Sequence, residues 1–453
     1  MTNIDLSKIK KIFFIGIGGI GISAIARMMF LEGKNVSGSD MSENELTHEL
    51  KELGIKITIG QSFELIPKDV DLIVYTIAIP HYDPKLFTQI SDLNIPIRSY
   101  PQMLGIITEN KYTIAVSGTH GKTTTTAMIA KILIDAGVDP SVIVGSLLKE
   151  YKTNLITGFG DVFVAEACEY ERSFLNLKPK ILVITNIEPD HLDYYKDIKD
   201  IESAFSELGS QTKNFIVCNR EDKATASILA REYGAKIIDY THYLEKVPEL
   251  SVPGLHNRMN AAAALAVADL LKVPETEAQV SVQEFSGTWR RLEKKGETKE
   301  GTIIYDDYAH HPTEIKASLQ ALRELYPSDA SPSSKTSANQ RKKITVLFQP
   351  HLYSRTKALF NDFAKSFKEA DRVFLLPIYF AREDKDESIS SEKLAMAICL
   401  EGGEVQAFPD FQSAENAVSA LKLGSKDVFV TMGAGEAHKV AEKVFKISPL
   451  HQK

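Results

Sequence analysis

At 453 residues the chain exceeds what one hydrophobic core usually serves, which calls for two to four domains, with three the expectation. Its 43% hydrophobic and 25% charged residues mark a folded globular protein, and a net charge of -7 without a basic tail leaves no electrostatic footprint for nucleic acid or an anionic membrane. Three widely spaced cysteines, Cys168, Cys218 and Cys399, exclude a disulfide or cysteine-rich metal framework and fit a reducing compartment.

Lys8, Lys10 and Lys11 ahead of the apolar run from Ile12 imitate a signal peptide. Gly16, Gly18, Gly19 and Gly21 interrupt that run and a βαβ pattern continues through it, so a cytoplasmic protein is expected, and no stretch is apolar enough to span a bilayer. Short β-rich runs at 12–17, 35–38, 72–76 and 95–98 alternate with helical lengths, the signature of a parallel sheet flanked by helices. A second α/β unit opens with a strand at 112–116 and a helix at 124–136. It continues through strands at 162–165, 181–185 and 215–218 and an alanine-rich helix at 260–271, ending near Gly287. Strands at 302–305, 344–348, 373–376 and 428–432 predict a third α/β unit, in which 327–343, rich in Ser, Pro, Asn and Lys, reads as a solvated loop.

Two loops carry chemistry. Gly16, Gly18 and Gly21, with Gly19 among them, form a G-x-G-x-x-G turn between strand and helix, and Asp40 closes the next strand where a ribose-binding acid usually sits. Glycine lets backbone amides approach a diphosphate at a helix N-terminus, so a dinucleotide or a UDP-sugar fits, with NAD the first guess from the pattern alone. The second loop, Gly118-Thr119-His120-Gly121-Lys122-Thr123 running into Thr124, follows a strand and opens a helix as a mononucleotide phosphate loop does, although Val116 stands where the general pattern has its first glycine. Its amides would cradle phosphates, with Lys122 on the terminal ones and the Thr123 hydroxyl on magnesium. Glu166, at the end of one strand, and His191, beyond the next, are candidates for further metal ligands.

Together these stretches resemble the Mur ligases, which build the peptide stem of peptidoglycan, and among them the alanine-adding branch. The likeness covers nearly the whole chain. It is carried by both glycine loops, by Ser37 to Asp40, Glu166-Ala167-Cys168-Glu169, Thr185-Asn186-Ile187 with Asp190-His191, and His256-Asn257 with Asn260. Arg290-Arg291-Leu292-Glu293, Asp306 to Glu314 and Phe348-Gln349-Pro350-His351 complete it. The resemblance implies three α/β domains: a Rossmann-like UDP-sugar-binding domain over 1–108, a central P-loop ATP-binding domain over 109–288, and a Rossmann-like amino-acid-binding domain over 289–453. It further implies ATP-dependent, magnesium-dependent joining of L-alanine to the carboxylate of UDP-N-acetylmuramate, with Gly16, Gly18, Gly19, Gly21 and Asp40 on the UDP-sugar rather than on NAD. Lys122 would touch phosphates; Thr123, Glu166 and His191 would surround magnesium; Asn257, Asn260, Arg291 and Asp306 would line ATP; His310 and Arg355 would face the sugar carboxylate and the amino acid. Two departures stand out: Leu352 in place of an arginine after Gln-Pro-His, and Gln61 in place of a histidine.

A carboxylate cannot acylate an amine in water without activation, so it attacks the γ-phosphoryl of ATP and becomes an acyl phosphate that the amine displaces. His310 is the candidate to take the amine's proton. A nicotinamide-dependent oxidoreductase would explain only the first glycine loop. A P-loop switch protein would leave the cluster from Asp306 to Glu314 without a task, and a relative attaching a preformed peptide is the nearest rival.

Overall fold

The computed structural model describes residues 4–327, 342–380 and 383–447, so nearly all of the expected loop at 327–343 lies outside the described residues. Three sheets carry the fold. The first contains β1 (Lys11–Ile15), β2 (Asn35–Asp40), β3 (Lys56–Ile59), β4 (Leu72–Tyr75) and β5 (Ile97–Ser99), in the order β3-β2-β1-β4-β5, all parallel. Its central strands are apolar on both faces because helices cover both; Ile12, Phe14, Leu72, Ile73 and Val74 have no exposed surface.

The second sheet contains β6 (Tyr112–Ser117), β7 (Ser141–Leu148), β8 (Thr153–Ile156), β9 (Val162–Glu166), β10 (Ile181–Ile184), β11 (Phe215–Cys218) and β12 (Lys236–Asp239). Its order is β12-β11-β10-β6-β9-β7-β8, and only the β7–β8 hairpin runs antiparallel. The third contains β13 (Glu293–Glu297), β14 (Ile303–Asp307), β15 (Lys343–Phe348), β16 (Arg372–Leu375), β17 (Val405–Ala407) and β18 (Asp427–Met432), in the order β13-β14-β18-β15-β16-β17, with only β13 antiparallel. The expected parallel α/β architecture therefore holds. The strands that periodicity misses are the short β3, β12 and β17 at sheet edges, the β7–β8 hairpin and the charged β13. Except for β7, whose Val142-Ile143-Val144 run is buried, none carries the continuous apolar run of a doubly covered strand.

By compactness the chain forms two units. One comprises Met1–Glu188, Ile198–Val247 and Ala261–Val282 and holds the first two sheets; the other comprises Pro189–Asp197, Pro248–Asn260 and Gln283–Lys453 and holds the third. Within the first unit, Asn154 of β8 donates to Ile20 O and to Ser23 Oγ, and Arg27 donates to Thr153 Oγ1 at 2.6 Å, so the hairpin of the second sheet grips the helix Ile20–Leu31 of the first. No helix among the described residues is long and apolar enough to cross a membrane.

Candidate active site

In open α/β sheets the ligand crevice lies at the carboxyl ends of the strands where strand order reverses. In the first sheet that point falls between β1 and β4, and the glycine loop occupies it. Gly16 has φ +76° and donates its N–H to Ser39 O at 2.8 Å, while a Cβ there would lie 2.5 Å from Thr76 Cγ2. Gly19 is the N-cap of the helix Ile20–Leu31. Asp40 Oδ2 accepts the Gly18 N–H at 2.8 Å, so the acid at the end of β2 holds the loop in shape from its own side.

In the second sheet the phosphate loop leaves β6 and opens the helix Lys122–Asp135 through Gly121, whose φ of +82° makes a left-handed N-cap. The loop after β10 laces it down. Thr119 N donates to Asn186 O, His120 N to Asn186 Oδ1 at 2.9 Å, and Thr185 Oγ1 to His120 O at 2.5 Å. Gly118 has φ +131°, and any Cβ there would overlap Thr185 Oγ1. Lys122 Nζ donates to Gly118 O at 2.5 Å and Thr119 O at 3.0 Å and pairs with Glu169 at 2.9 Å. Burial is the largest single influence and opposes charge on this lysine, yet Glu169, with Cys168 and Glu166, together outweigh it and the pKa is raised, so the ammonium persists. Thr123 Oγ1 donates to Glu166 Oε1 at 3.1 Å, and Gly145 N donates to Glu166 Oε2 at 2.7 Å. A hydroxyl and a carboxylate sharing one point are the hard oxygen donors that suit a magnesium ion. His120 lies 3.5 Å from Glu188, and Thr124 is buried in the first helical turn. Glu169 is the residue that spacing misses; its signal is a second acid three positions after Glu166.

The second unit groups the remaining candidates. Arg355 is buried; its Nε and Nη2 each lie 2.9 Å from Asp190 Oδ1, and its Nη1 donates to His351 Nδ1 at 3.1 Å. Burial, the largest single influence, would raise the Asp190 pKa, but Arg355, His191, His310 and His311 together outweigh it, and the carboxyl is held well below the usual range. His191, left-handed at φ +53°, joins Asp190, Asp193, Leu352, Ser354 and Arg355 around a small, shallow hollow. Leu352 brings no cation, as its identity implies; it is buried at φ +70° and heads the helix Tyr353–Ala358.

His310 Nδ1 lies 2.9 Å from Tyr308 O, a group that only accepts, so this nitrogen carries the proton and Nε2 keeps its lone pair. Burial lowers the His310 pKa to about 4 despite Glu314, so the ring is neutral near pH 7. His311 caps the helix Pro312–Leu325, accepting Thr313 N–H on Nδ1 at 3.3 Å, a structural task. Asp306 is buried against Arg290, whose Nε donates at 2.8 Å, and accepts Thr431 Oγ1 at 2.6 Å. Arg291 stacks over Tyr308 at 5.2 Å and lies 3.7 Å from Glu314. Asn257 and Asn260 are both buried on the helix Leu255–Leu270; Asn257 Nδ2 donates to Pro253 O at 2.7 Å and Asn260 Nδ2 to Asn257 Oδ1 at 3.5 Å.

Three family models match in series: Mur ligase family, catalytic domain, over 11–112; Mur ligase middle domain over 116–247; and Mur ligase, glutamate ligase domain, over 290–435. The chain is 39% identical to the UDP-N-acetylmuramate--L-alanine ligase of Agathobacter rectalis, across 98% of this chain and 100% of the relative. It is 40% identical to the protein of that name from Caldanaerobacter subterraneus subsp. tengcongensis, across 97% and 98%. The crystal structure of UDP-N-acetylmuramate-alanine ligase MurC from Thermotoga maritima is 28% identical with a TM-score of 0.76, covering 96% of this chain and 98% of that one. A murein peptide ligase from Psychrobacter arcticus, 22% identical with a TM-score of 0.69, shares the fold across 98% and 99%. The chain belongs to the Mur ligase family, which removes the oxidoreductase reading of the first glycine loop.

Proposed function

We propose that this chain joins L-alanine to the carboxylate of UDP-N-acetylmuramate at the expense of ATP, releasing ADP and phosphate, in peptidoglycan synthesis. The observation that carries this reading is the full-length match to ligases of that name, joined to a phosphate loop whose lysine is paired with Glu169 at 2.9 Å. Residues 1–108 take the UDP-sugar, 109–288 ATP, and 289–453 the amino acid; these substrates are cytoplasmic metabolites, and the protein works in that compartment.

The diphosphate of the UDP-sugar meets the amides of Gly16, Gly18, Gly19 and Gly21, with Asp40 fixing the loop. ATP phosphates enter the cradle of Gly118, Thr119, His120, Gly121 and Thr124, and Lys122 exchanges its loop carbonyls for phosphate oxygens while Glu169 keeps it charged. Thr123 and Glu166 would hold magnesium, with His191 the further ligand that the family resemblance implies, and the ion when bound would neutralise phosphate charge. Asn257, Asn260, Arg291 and Asp306 line the nucleotide, Asp306 by holding Arg290 in place. An oxygen of the sugar carboxylate attacks the γ-phosphorus, the bond to the β–γ bridging oxygen breaks, and ADP leaves. The amine of L-alanine then attacks the acyl carbon and inorganic phosphate departs from the tetrahedral intermediate. His310, neutral with Nε2 unprotonated, accepts the amine's proton. Arg355 sits beside the hollow that receives the amino acid, its charge already balanced by Asp190, so it orients a carboxylate rather than supplying a free cation.

The test is phosphate release by the purified chain with magnesium, ATP, UDP-N-acetylmuramate and L-alanine, omitting each in turn. Release should require all three substrates, and Lys122→Ala should lower the rate on the order of a hundredfold or more. Formation of the alanyl product at full rate without ATP would overturn the reading.

A further inference from the structure

Tyr100 opens the helix Tyr100–Thr108, whose N-cap Ser99 accepts the Gln102 N–H. Its ring packs directly on the glycine loop's helix: a Cβ at Gly21 would lie 2.5 Å from Tyr100 Cζ and 2.7 Å from its hydroxyl oxygen. Position 21 is thus a glycine because an aromatic ring occupies the space, and not for reasons of φ. On its other side the same helix meets the segment that follows β9, since a Cβ at Gly105 would overlap Asn176 O. Tyr100 therefore stands inside the first unit against the first turn of the diphosphate-binding helix, on a helix that also packs on the segment following the strand that bears Glu166. Burial, with the Glu166 carboxylate and the Cys168 thiol adding to it, pushes the phenol well above its ordinary pKa. It stays protonated and can act as a donor, and no group among the described residues hydrogen-bonds its hydroxyl.

A UDP-sugar laid on the Gly16-to-Gly21 loop must bring its carboxylate to the γ-phosphoryl of ATP beside Thr123 and Glu166. The Tyr100 hydroxyl lies at the start of that path, against the first turn of the helix that opens at the glycine loop. We propose that Tyr100 is a further substrate-binding residue of the ligation, its hydroxyl donating a hydrogen bond to an anionic oxygen of the UDP-sugar. This inference rests on the function proposed above. The oxygen belongs either to the diphosphate, which UDP alone shares, or to the sugar carboxylate, which it lacks.

Tyr100→Phe removes one oxygen and keeps the ring against Gly21, so the fold should persist with an unchanged melting temperature. A hydrogen bond to a charged oxygen corresponds to roughly a tenfold to hundredfold loss of affinity. Calorimetric titration of the full chain should show that loss for UDP-N-acetylmuramate, while ATP affinity stays within about twofold. An equal loss for UDP assigns the contact to the diphosphate; unchanged UDP binding assigns it to the carboxylate. Unaltered UDP-N-acetylmuramate affinity in Tyr100→Phe, or a loss confined to ATP, overturns the proposal. Failure of the unmutated chain to bind the UDP-sugar at all would instead overturn the functional reading beneath it.

Discussion

Lys122, half-buried, and its buried partner Glu169 show how one ion pair couples stability to chemistry. The Glu169 side chain is 3% exposed, so removing the lysine leaves a carboxylate buried without its cation, a change that typically destabilises by about 3–5 kcal/mol. Lys122→Met should therefore lower both turnover and the melting temperature. The double variant Lys122→Met with Glu169→Gln should recover much of the melting temperature and none of the turnover. Thermal denaturation beside phosphate release separates the two effects; recovery of activity in the double variant would place the lysine outside the reaction. The phosphate-loop lysine is legible from Gly-Lys-Thr alone, because that spacing is local. Its partner is not, because the approach of Glu169 depends on how β6 and β9 pair, with Val116 opposite Glu166.

At the scale of elements, the turn after β6 and the turn after β10 are one interlocked structure. Gly118 is the contact point, with Thr185 Oγ1 against it, Asn186 O at 2.9 Å and Thr185 N at 3.0 Å from any added Cβ. Gly118→Ala should destabilise the first unit by about 1–3 kcal/mol from the left-handed backbone alone and weaken ATP binding further by shifting the loop. Adding Thr185→Ala removes the nearest side-chain atom but leaves the two backbone contacts, so rescue should be partial. Melting temperature and ATP titration measure both; full recovery in the double variant would mean that the backbone contacts do not matter. The glycine was legible as part of a motif, whereas the element that enforces it lies 67 positions downstream and reaches it only through the parallel pairing of β10 with β6.

Across the molecule, acid sensitivity concentrates in the second unit. Burial lowers the pKa values of His256, His310 and His438 to about 4 from an ordinary 6.5. The unfolded chain binds these protons near pH 6.5 and the folded chain only near pH 4, so their stabilisation is complete above about pH 6.5 and is lost as pH falls toward 4. Asp307 opposes this in part, because burial raises its pKa to about 6 and its contribution improves on acidification. Three groups against one leave a net loss on the order of 2–3 kcal/mol per pH unit near pH 5. The single tryptophan, Trp289, belongs to this unit and reports on it. Urea denaturation followed by its fluorescence should show a midpoint that falls between pH 6.5 and 4.5. Replacing His256 and His438 with glutamine should flatten that fall, and a midpoint that is constant or rises on acidification would contradict the account.

The sequence by itself determined the α/β class, the order of the glycine loops and the family. Those signals are carried by neighbouring residues: periodicity of apolar side chains, glycine spacing, and acids at strand ends. Only the tertiary structure decided which member of each local pair does what. Arg290 rather than Arg291 holds Asp306, and His311 rather than His310 caps a helix. It also decided that Arg355 is met by Asp190, 165 positions away, and that the ring of Tyr100 fills the space beside Gly21. Such partners are chosen by which strand ends a sheet brings together, and strand order is not written in local spacing.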